Sequence, residues 1–358
     1  MGFPSVEELA GWIGRTDEES VRALHARAYA VKEEVVGRRV SMRGLIEAGN
    51  ICAKDCLYCG IRKSNVHVER YQLSKEEIVS CARFAAESGY GSVVIQSGEI
   101  EGEAHARFIE DVLHAIAPLQ LGVTLSLGEQ AEDVYRRWRD AGATRYLLRI
   151  ETSNPVLYAA LHPADCSFDR RVECLRALRR CGYQVGTGVM AGLPGQTFVD
   201  LARDIVFFRD IDADMIGMGP YIPHPDTPLA AKAADWSEVS ALRLGLNMIA
   251  AARIALRDVN IAAATALQAL DPLGREKGLL AGANVVMPNV TEVKYRAQYK
   301  LYAGKPCLDE NAALCRGCLQ RRIESIGETV LWGVPGDSAH FFARQDAPNM
   351  VKSSTRGP

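Results

Sequence analysis

No apolar run in this 358-residue chain approaches the roughly 20 residues that a bilayer span requires. The opening Met1-Gly2-Phe3-Pro4-Ser5 lacks the basic and apolar regions of a secretory leader, so the expectation is a cytoplasmic chain with no membrane partner. An excess of charge of one sign is missing too. Forty-two Lys and Arg against 44 Asp and Glu leave a net charge of -2, which gives no electrostatic footprint for nucleic acid or an anionic membrane surface. Small neutral or anionic ligands are the expected partners. Between 40 and 320 there is no repeat of fixed period, no low-complexity tract and no linker rich in Gly, Pro or Ser, so that stretch reads as one domain. A disulfide framework is not expected from the ten cysteines, because the cytoplasm keeps thiols reduced.

Those ten are unevenly placed. Cys81, Cys166, Cys174 and Cys181 stand singly and read as small structural hydrophobes. Cys307, Cys315 and Cys318 form C-x7-C-x2-C, and Cys52, Cys56 and Cys59 form C-x3-C-x2-C with the aromatic Tyr58 before the last thiol. Iron-sulfur clusters are normally held by four cysteines, so a tight three-cysteine loop around a cubane leaves one iron open to a small molecule. The alternative is structural zinc, which prefers two ligand pairs far apart in sequence and a closed shell.

Residues 5–36 read as helical, with Ser5 and Glu8 in capping-box register and a second helix starting near Asp17. From Val40 short apolar runs alternate with amphipathic stretches, the pattern of repeated strand-helix units around a parallel sheet. Strands are expected at 42–48, 92–97, 121–127, 144–150, 184–190, 214–218, 259–264 and 283–287. Helices are expected at 74–88, 103–117, 130–141, 168–181, 197–209 and 237–256, the first opened by Ser74 and Glu77. Eight units close a complete (βα)8 TIM-type barrel over 40–320, preceded by a helical extension (1–39) and followed by a C-terminal extension (321–358). The tail after Gly336 is expected to lie on the surface or to fray.

The run Cys52-x3-Cys56-Leu57-Tyr58-Cys59 resembles the signature of radical S-adenosylmethionine (SAM) enzymes. Further stretches extend the likeness over about 41–318: Gln96-Ser97-Gly98-Glu99, Val123 to Glu129, Tyr146-Leu147-Leu148-Arg149, Gly192-Leu193-Pro194-Gly195-Gln196-Thr197, Ile222 to Leu229 and Gly282-Ala283-Asn284-Val285. Together they are similar to the FeFe-hydrogenase maturases of the HydE family. The resemblance implies a [4Fe-4S] cluster on Cys52, Cys56 and Cys59 and reductive cleavage of SAM to a 5'-deoxyadenosyl radical. It further implies a sulfur-containing, cysteine-bound iron carbonyl-cyanide substrate in the barrel, an electron donor such as flavodoxin or ferredoxin, and other hydrogenase maturation proteins as partners. Methylornithine synthase or biotin synthase chemistry is the nearest enzymatic alternative, and a non-catalytic iron-sulfur carrier is the alternative outside catalysis.

Barrel active sites are built at the C-terminal ends of the strands, which focuses attention on the polar residues there. A lone Gly98-Glu99 after a strand is a weak signal by itself, and a simple turn would explain it. The resemblance makes Glu99 the partner of the SAM amino group, with Tyr58, Gln96, Ser97 and Gly98 beside it, Ser126 and Glu151 as further SAM contacts and Arg171 on the SAM carboxylate. Alternation points Arg149 and Glu151 to one side of the fourth strand, and a structural ion pair is the alternative reading. Thr124, Arg149, Thr265, Tyr299 and Tyr302 are the implied substrate contacts. A tyrosine stripe at 295, 299 and 302 would be core by default. Cys307, Cys315 and Cys318 are candidates for a second cluster, [2Fe-2S] or [4Fe-4S], near the surface, with zinc the other metal. His224, between prolines, is expected to anchor a loop and is not assigned to metal.

Overall fold

Alternation along the first strand decides what faces the barrel interior and what faces the helices. Met42, Ile46 and Ala48 join the apolar core under the outer helices, while Arg43, Leu45 and Glu47 line internal cavities. Eight parallel strands share this arrangement among the described residues: β1 (Arg39–Gly49), β2 (Ser92–Ser97), β3 (Gly122–Ser126), β4 (Ala143–Leu147), β5 (Gln184–Thr187), β6 (Met215–Ile216), β7 (Asn260–Ile261) and β8 (Val285–Val286). They neighbour one another in the order β8-β1-β2-β3-β4-β5-β6-β7. A bridge between Ala262 and Val285, with Ala263 N donating to Val285 O at 2.9 Å, closes the ring. The computed structural model describes residues 2–232, 239–309 and 312–345.

The later strands are shorter than their apolar runs because the chains part at the mouth of the barrel. Met190–Ala191 and Gly219–Pro220, expected near the ends of the fifth and sixth strands, pair separately as a small sheet at the rim.

Helices cover the outside: α1 (Val6–Ile13), α2 (Glu18–Val35), α3 (Lys75–Glu87), α4 (Glu103–Ile116), α5 (Glu132–Asp140), α6 (Pro155–Leu161), α7 (Phe168–Arg180), α8 (Phe198–Asp210), α9 (Ala241–Leu256), α10 (Thr265–Leu270) and α11 (Gly274–Leu280). The capping boxes expected at Ser5 and Ser74 are both formed, each hydroxyl accepting from the third helical N–H while the Glu there accepts from the cap N–H. The first two helices pack on α8 and α9; Asn247 on α9 donates to Ile13 O at 3.0 Å. The short α6 had not been expected, although Asn154 at its cap and Pro155 at its first position are a helix-start signal.

The C-terminal segment departs from expectation in a consequential way. After β9 (Thr329–Leu331), which pairs beside the start of β1, the chain crosses under the barrel. Arg43 and Asn260 both donate to Gly336 O, at 3.0 and 2.9 Å. Arg145 donates to Pro335 O and pairs with Asp337, and Gln184 bonds both Asp337 and Ser338 N. The polar ends of four inward-facing side chains need partners, and this segment supplies them. Residues 339–345 then form a helix held by a charged cluster: His340 contacts Asp212 at 2.7 Å and Asp258 at 3.1 Å, while Arg344 pairs with Asp212 and Asp214. Arg179 approaches the same Asp214. Asp346 and the residues after it lie outside the described residues.

The hydrogen bond to Asp258, then that to Asp212, raises the His340 pKa to about 9 against the opposing effect of burial. A raised folded-state pKa contributes stability that is fully present below the unfolded value of about 6.5 and is lost as pH rises to about 9. Hydrogen exchange of 339–345, corrected for intrinsic rates, should therefore lose protection between pH 6.5 and 9, and His340→Ala should remove that pH dependence.

Candidate active site

The loop after β1 that carries the first three cysteines is tied down on every side. Asn50 donates to Glu69 O and Gln298 O, both at 2.8 Å. Arg70 gathers the loop from within: its guanidinium donates to the carbonyls of Asn50, Ile61, Arg62, Lys63 and Asn65, so one fork replaces a regular element. Leu57 N donates to Leu161 O, Leu229 N to Leu57 O and Gly60 N to Leu301 O. Ala53 N donates to Glu99 O at 2.8 Å, and Glu99 N lies 3.4 Å from the Cys52 thiol. Gly98 permits this approach: a Cβ there would lie 2.2 Å from Ile51 O.

The three thiols are half-buried and free. Burial raises the pKa of each, that of Cys59 to about 12, and Cys59 raises that of Cys56 further. Among the described residues no three His, Cys, Asp or Glu side chains close round a single ion. The donor set of three soft thiols fits an iron-sulfur cluster with one iron left unligated by cysteine.

Beside the loop lies a buried run of charge. Glu99 sits between Lys54 Nζ at 3.3 Å and Arg171 Nη2 at 3.8 Å; Arg171 also pairs with Glu129 at 2.6 Å and donates to Arg149 O at 2.7 Å. Glu99 Oε1 faces the Lys54 ammonium at 3.3 Å, and a carboxylate oxygen with two lone pairs can accept a ligand's N–H besides. Burial raises the Glu99 pKa. A Cβ on Gly128 would collide with the Glu99 carboxylate at 2.2 Å. Glu151 adopts φ 65, which costs a non-glycine residue on the order of 1 kcal/mol or more. The conformation is held by Glu151 N donating to Gly188 O and Met190 N donating to Glu151 O. It brings the carboxylate to 2.9 Å from Arg149, so the two do share a side. Burial raises the Glu151 pKa, opposed by the charge of Arg149 and by its contact with Oε2.

Register aligns Glu47, Gln96 and Ser126 on adjacent strands, with Leu45, Val94 and Thr124 one layer below. Gln96 donates to Tyr299 OH at 3.1 Å. Thr124 Oγ1 is buried without a partner in a cavity of about 310 Å³. Thr265 accepts from Arg275 at 3.0 Å in a second cavity of about 350 Å³, which it shares with Glu47, Lys305, Cys307 and Cys315; Met287 lines both cavities. Tyr302 is half-buried at the mouth. Tyr58 OH donates to His162 Nε2 at 3.1 Å, while His162 Nδ1 donates to Tyr158 O. Ser97 is the outlier: its hydroxyl donates to Gly98 O and its side chain lines a space toward α4, on the face opposite Gln96.

The second cysteine set is partly buried, with Cys307 and Cys318 of intermediate exposure. Cys315 is buried in the apolar core, on the helix Ala312–Ser325 with the half-buried Cys318, and Cys307 borders the Thr265 cavity. Of the single cysteines, Cys81 and Cys174 lie in the apolar core and Cys181 packs against it. Cys166 is buried outside every apolar cluster, close enough to Lys54 and Glu99 to feel their charge. Lys54, Arg70 and Glu129 carry no signal of their own in the sequence, because only their partners give them a role; Glu129 directly follows Gly128 at the end of the Val123 to Glu129 stretch.

Residues 46–208 match the family model of the radical SAM superfamily. The chain is 46% identical over 306 residues to the [FeFe] hydrogenase maturase subunit HydE of Thermotoga maritima, covering 85% of this chain and 86% of that one. It is 26% identical to the 3-methylornithine synthase of Methanosarcina acetivorans over 82% of this chain and 83% of that protein. Among solved structures, methylornithine synthase PylB superposes with TM-score 0.79 at 22% identity, over 92% of this chain and 94% of that one. The maturase HydG superposes with TM-score 0.76 at 19% identity, over 92% and 73%.

Arg70→Gln should remove the fork that gathers the loop, at the cost of at least one charge-assisted hydrogen bond, roughly 1.5–3 kcal/mol. Iron retained after reconstitution should fall several-fold, with amide protection lost across 50–65 while β2 to β5 keep theirs.

Proposed function

The chain belongs to the radical SAM superfamily and, within it, to the family of the FeFe-hydrogenase maturase HydE, and on that premise we propose how its residues divide the work of maturing the hydrogenase active-site cluster. The observation that carries the proposal is the buried Glu99 carboxylate, held between Lys54 and Arg171 directly beside the Cys52 end of the three-thiol loop. Enzymes of this superfamily use a [4Fe-4S] cluster and SAM. When bound, the cluster supplies the electron that splits SAM into methionine and a 5'-deoxyadenosyl radical.

Cys52, Cys56 and Cys59 hold that cluster. Glu99 accepts from the SAM ammonium and Arg171 pairs with its carboxylate, opposite charges placed side by side for a zwitterion. Gly98 leaves room for the ligand against the loop, Ser126 and Glu151 face the ribose, and Tyr58 and Gln96 border the nucleoside end. The Ser97 hydroxyl is bonded to Gly98 O, which assigns Ser97 to shaping the turn. Thr124, Arg149, Thr265, Tyr299 and Tyr302 contact the substrate, a cysteine-bound iron carbonyl-cyanide precursor whose sulfur the radical attacks. Arg149, tied to Glu151 and Val189 O, places a cation between the SAM and substrate ends. A flavodoxin- or ferredoxin-type donor supplies the electron, and other maturation proteins take the product. Cys307, Cys315 and Cys318 form a second metal site apart from the radical step.

Cys56→Ala should abolish deoxyadenosine formation, whereas Cys318→Ala, at the more accessible end of the second set, should lower iron content and leave deoxyadenosine within about twofold. Equal loss in a folded Cys318→Ala variant would bring the second site into catalysis. Purified protein should also be required for assembly of active hydrogenase from the apo-enzyme, and activity appearing equally without it would refute the maturation reading; turnover of lysine or dethiobiotin would replace it.

A further inference from the structure

The inside of the barrel is unusual in carrying two buried arginines on its floor. Arg43 and Arg145 are 3% and 0% exposed, and Gln184 and Asn260, at the starts of β5 and β7, turn their polar groups inward at the same level. Isolated buried cations are strongly disfavoured unless paired and hydrogen-bonded. Among the described residues the carboxylate that pairs with either of them is Asp337, supplied by the C-terminal segment. The same segment presents the Pro335 and Gly336 carbonyls to Arg145, Arg43 and Asn260, and Ser338 behind it is fully buried. Arg43 reaches upward as well: its Nη1 lies 2.7 Å from the Met215 sulfur, and Arg43, Met215 and Thr124 line the cavity of about 310 Å³.

We propose that residues 334–338 are the floor seal of the reaction chamber, with Asp337 the positioning residue that allows Arg43 and Arg145 to close over the cavity from below. The chemical reason for a seal, which rests on the radical reading above, is that a carbon radical takes hydrogen from thiols. In that reaction the 5' carbon gains a hydrogen atom, the S–H bond breaks and a thiyl radical leaves, so any cellular thiol entering from below would quench the radical before it met substrate. Entry is then confined to the mouth, where the cysteine loop and the tyrosine-bearing segment lie.

Two methionines give the test, since both line the cavity but at different depths: Met215 is 4% exposed beside Arg43, whereas Met287 is half-buried and also borders the Thr265 cavity. The full-length protein is exposed to dilute hydrogen peroxide and sulfoxide formation is followed by peptide mass spectrometry. Asp337→Lys, which sets a third cation against two, should accelerate Met215 oxidation about tenfold and leave Met287 unchanged, while Asp337→Asn, which keeps the shape and removes only the counter-charge, should accelerate it by a smaller factor. Should Asp337→Lys fail to fold, Gly336→Val displaces the segment locally, because a Cβ there would lie 2.6 Å from Ser41 Oγ. Arg344→Ala, which loosens only the helix beyond, should leave Met215 protected. Equal Met215 oxidation in wild type and in a folded Asp337→Lys or Gly336→Val protein overturns the seal. In the reduced, reconstituted enzyme, a thiol exchanged to S–D should place more deuterium in deoxyadenosine for Asp337→Lys than for wild type. Absence of deoxyadenosine from wild type would overturn the radical reading instead, and the methionine comparison would still decide the seal.

Discussion

Charge inside the barrel is the constraint on which the rest of this structure depends. A barrel interior is normally filled by branched apolar side chains, yet here it carries Arg43 and Arg145 at the floor, Arg149 with Glu151 higher up, and Glu47 with Lys305 toward the mouth. Each must be paired where it lies, because desolvating a lone charge costs more than a single hydrogen bond returns. Burial pushes the Glu47 pKa up and the Lys305 pKa down; close contact and the Asn289 bond to Glu47 hold the pair together. The partners come from distant sequence: Asp337 for Arg145, Lys305 for Glu47, Glu129 for Arg171. Pairing of charge therefore fixes how segments outside the eight strands are laid on the barrel.

The same economy explains the cysteine loop. Residues 50–73 contain little regular structure, so their backbone groups cannot satisfy one another as a helix or strand would. Arg70 and Asn50 do that work from side chains, and the carbonyls of Leu161 and Leu301 accept from the loop while Leu229 donates to it. The position of the thiols is thus set jointly by α6, the loop after the sixth strand and the segment that brings Tyr299 and Tyr302 to the mouth. Lys305 donates to Tyr299 O as well as pairing with Glu47, so one ion pair links the chamber wall to the segment above it.

Local patterns carried far into the structure where the cause was local. Ser5 with Glu8 and Ser74 with Glu77 formed their capping boxes because a cap needs only four consecutive residues. Period-two alternation placed Thr124 and Ser126 on one side of β3 and Leu125 on the other, because a strand allows no other choice once one face is apolar. The same rule turned Ser97 outward, which the resemblance alone did not distinguish. The Cys52, Cys56 and Cys59 spacing determined that three thiols share one short loop, whatever surrounds it.

What the tertiary structure alone decided is every relation between groups far apart in sequence. The tail after Gly336 reads as polar and terminal, and nothing in its composition tells that Asp337 meets Arg145 across 192 positions. Cys166 and Cys174 are indistinguishable as isolated thiols, but barrel closure puts one beside Lys54 and Glu99 and the other in apolar packing. β6 to β8 are shorter than their apolar runs because those runs continue beyond the ladder bonds. The sequence by itself determined the type of each element, its inward face and the chemistry of its thiols, since these follow from neighbours within a few residues. Which buried charge meets which partner, and so where the chamber is open or closed, follows only from the closed ring, because only closure brings those groups within reach.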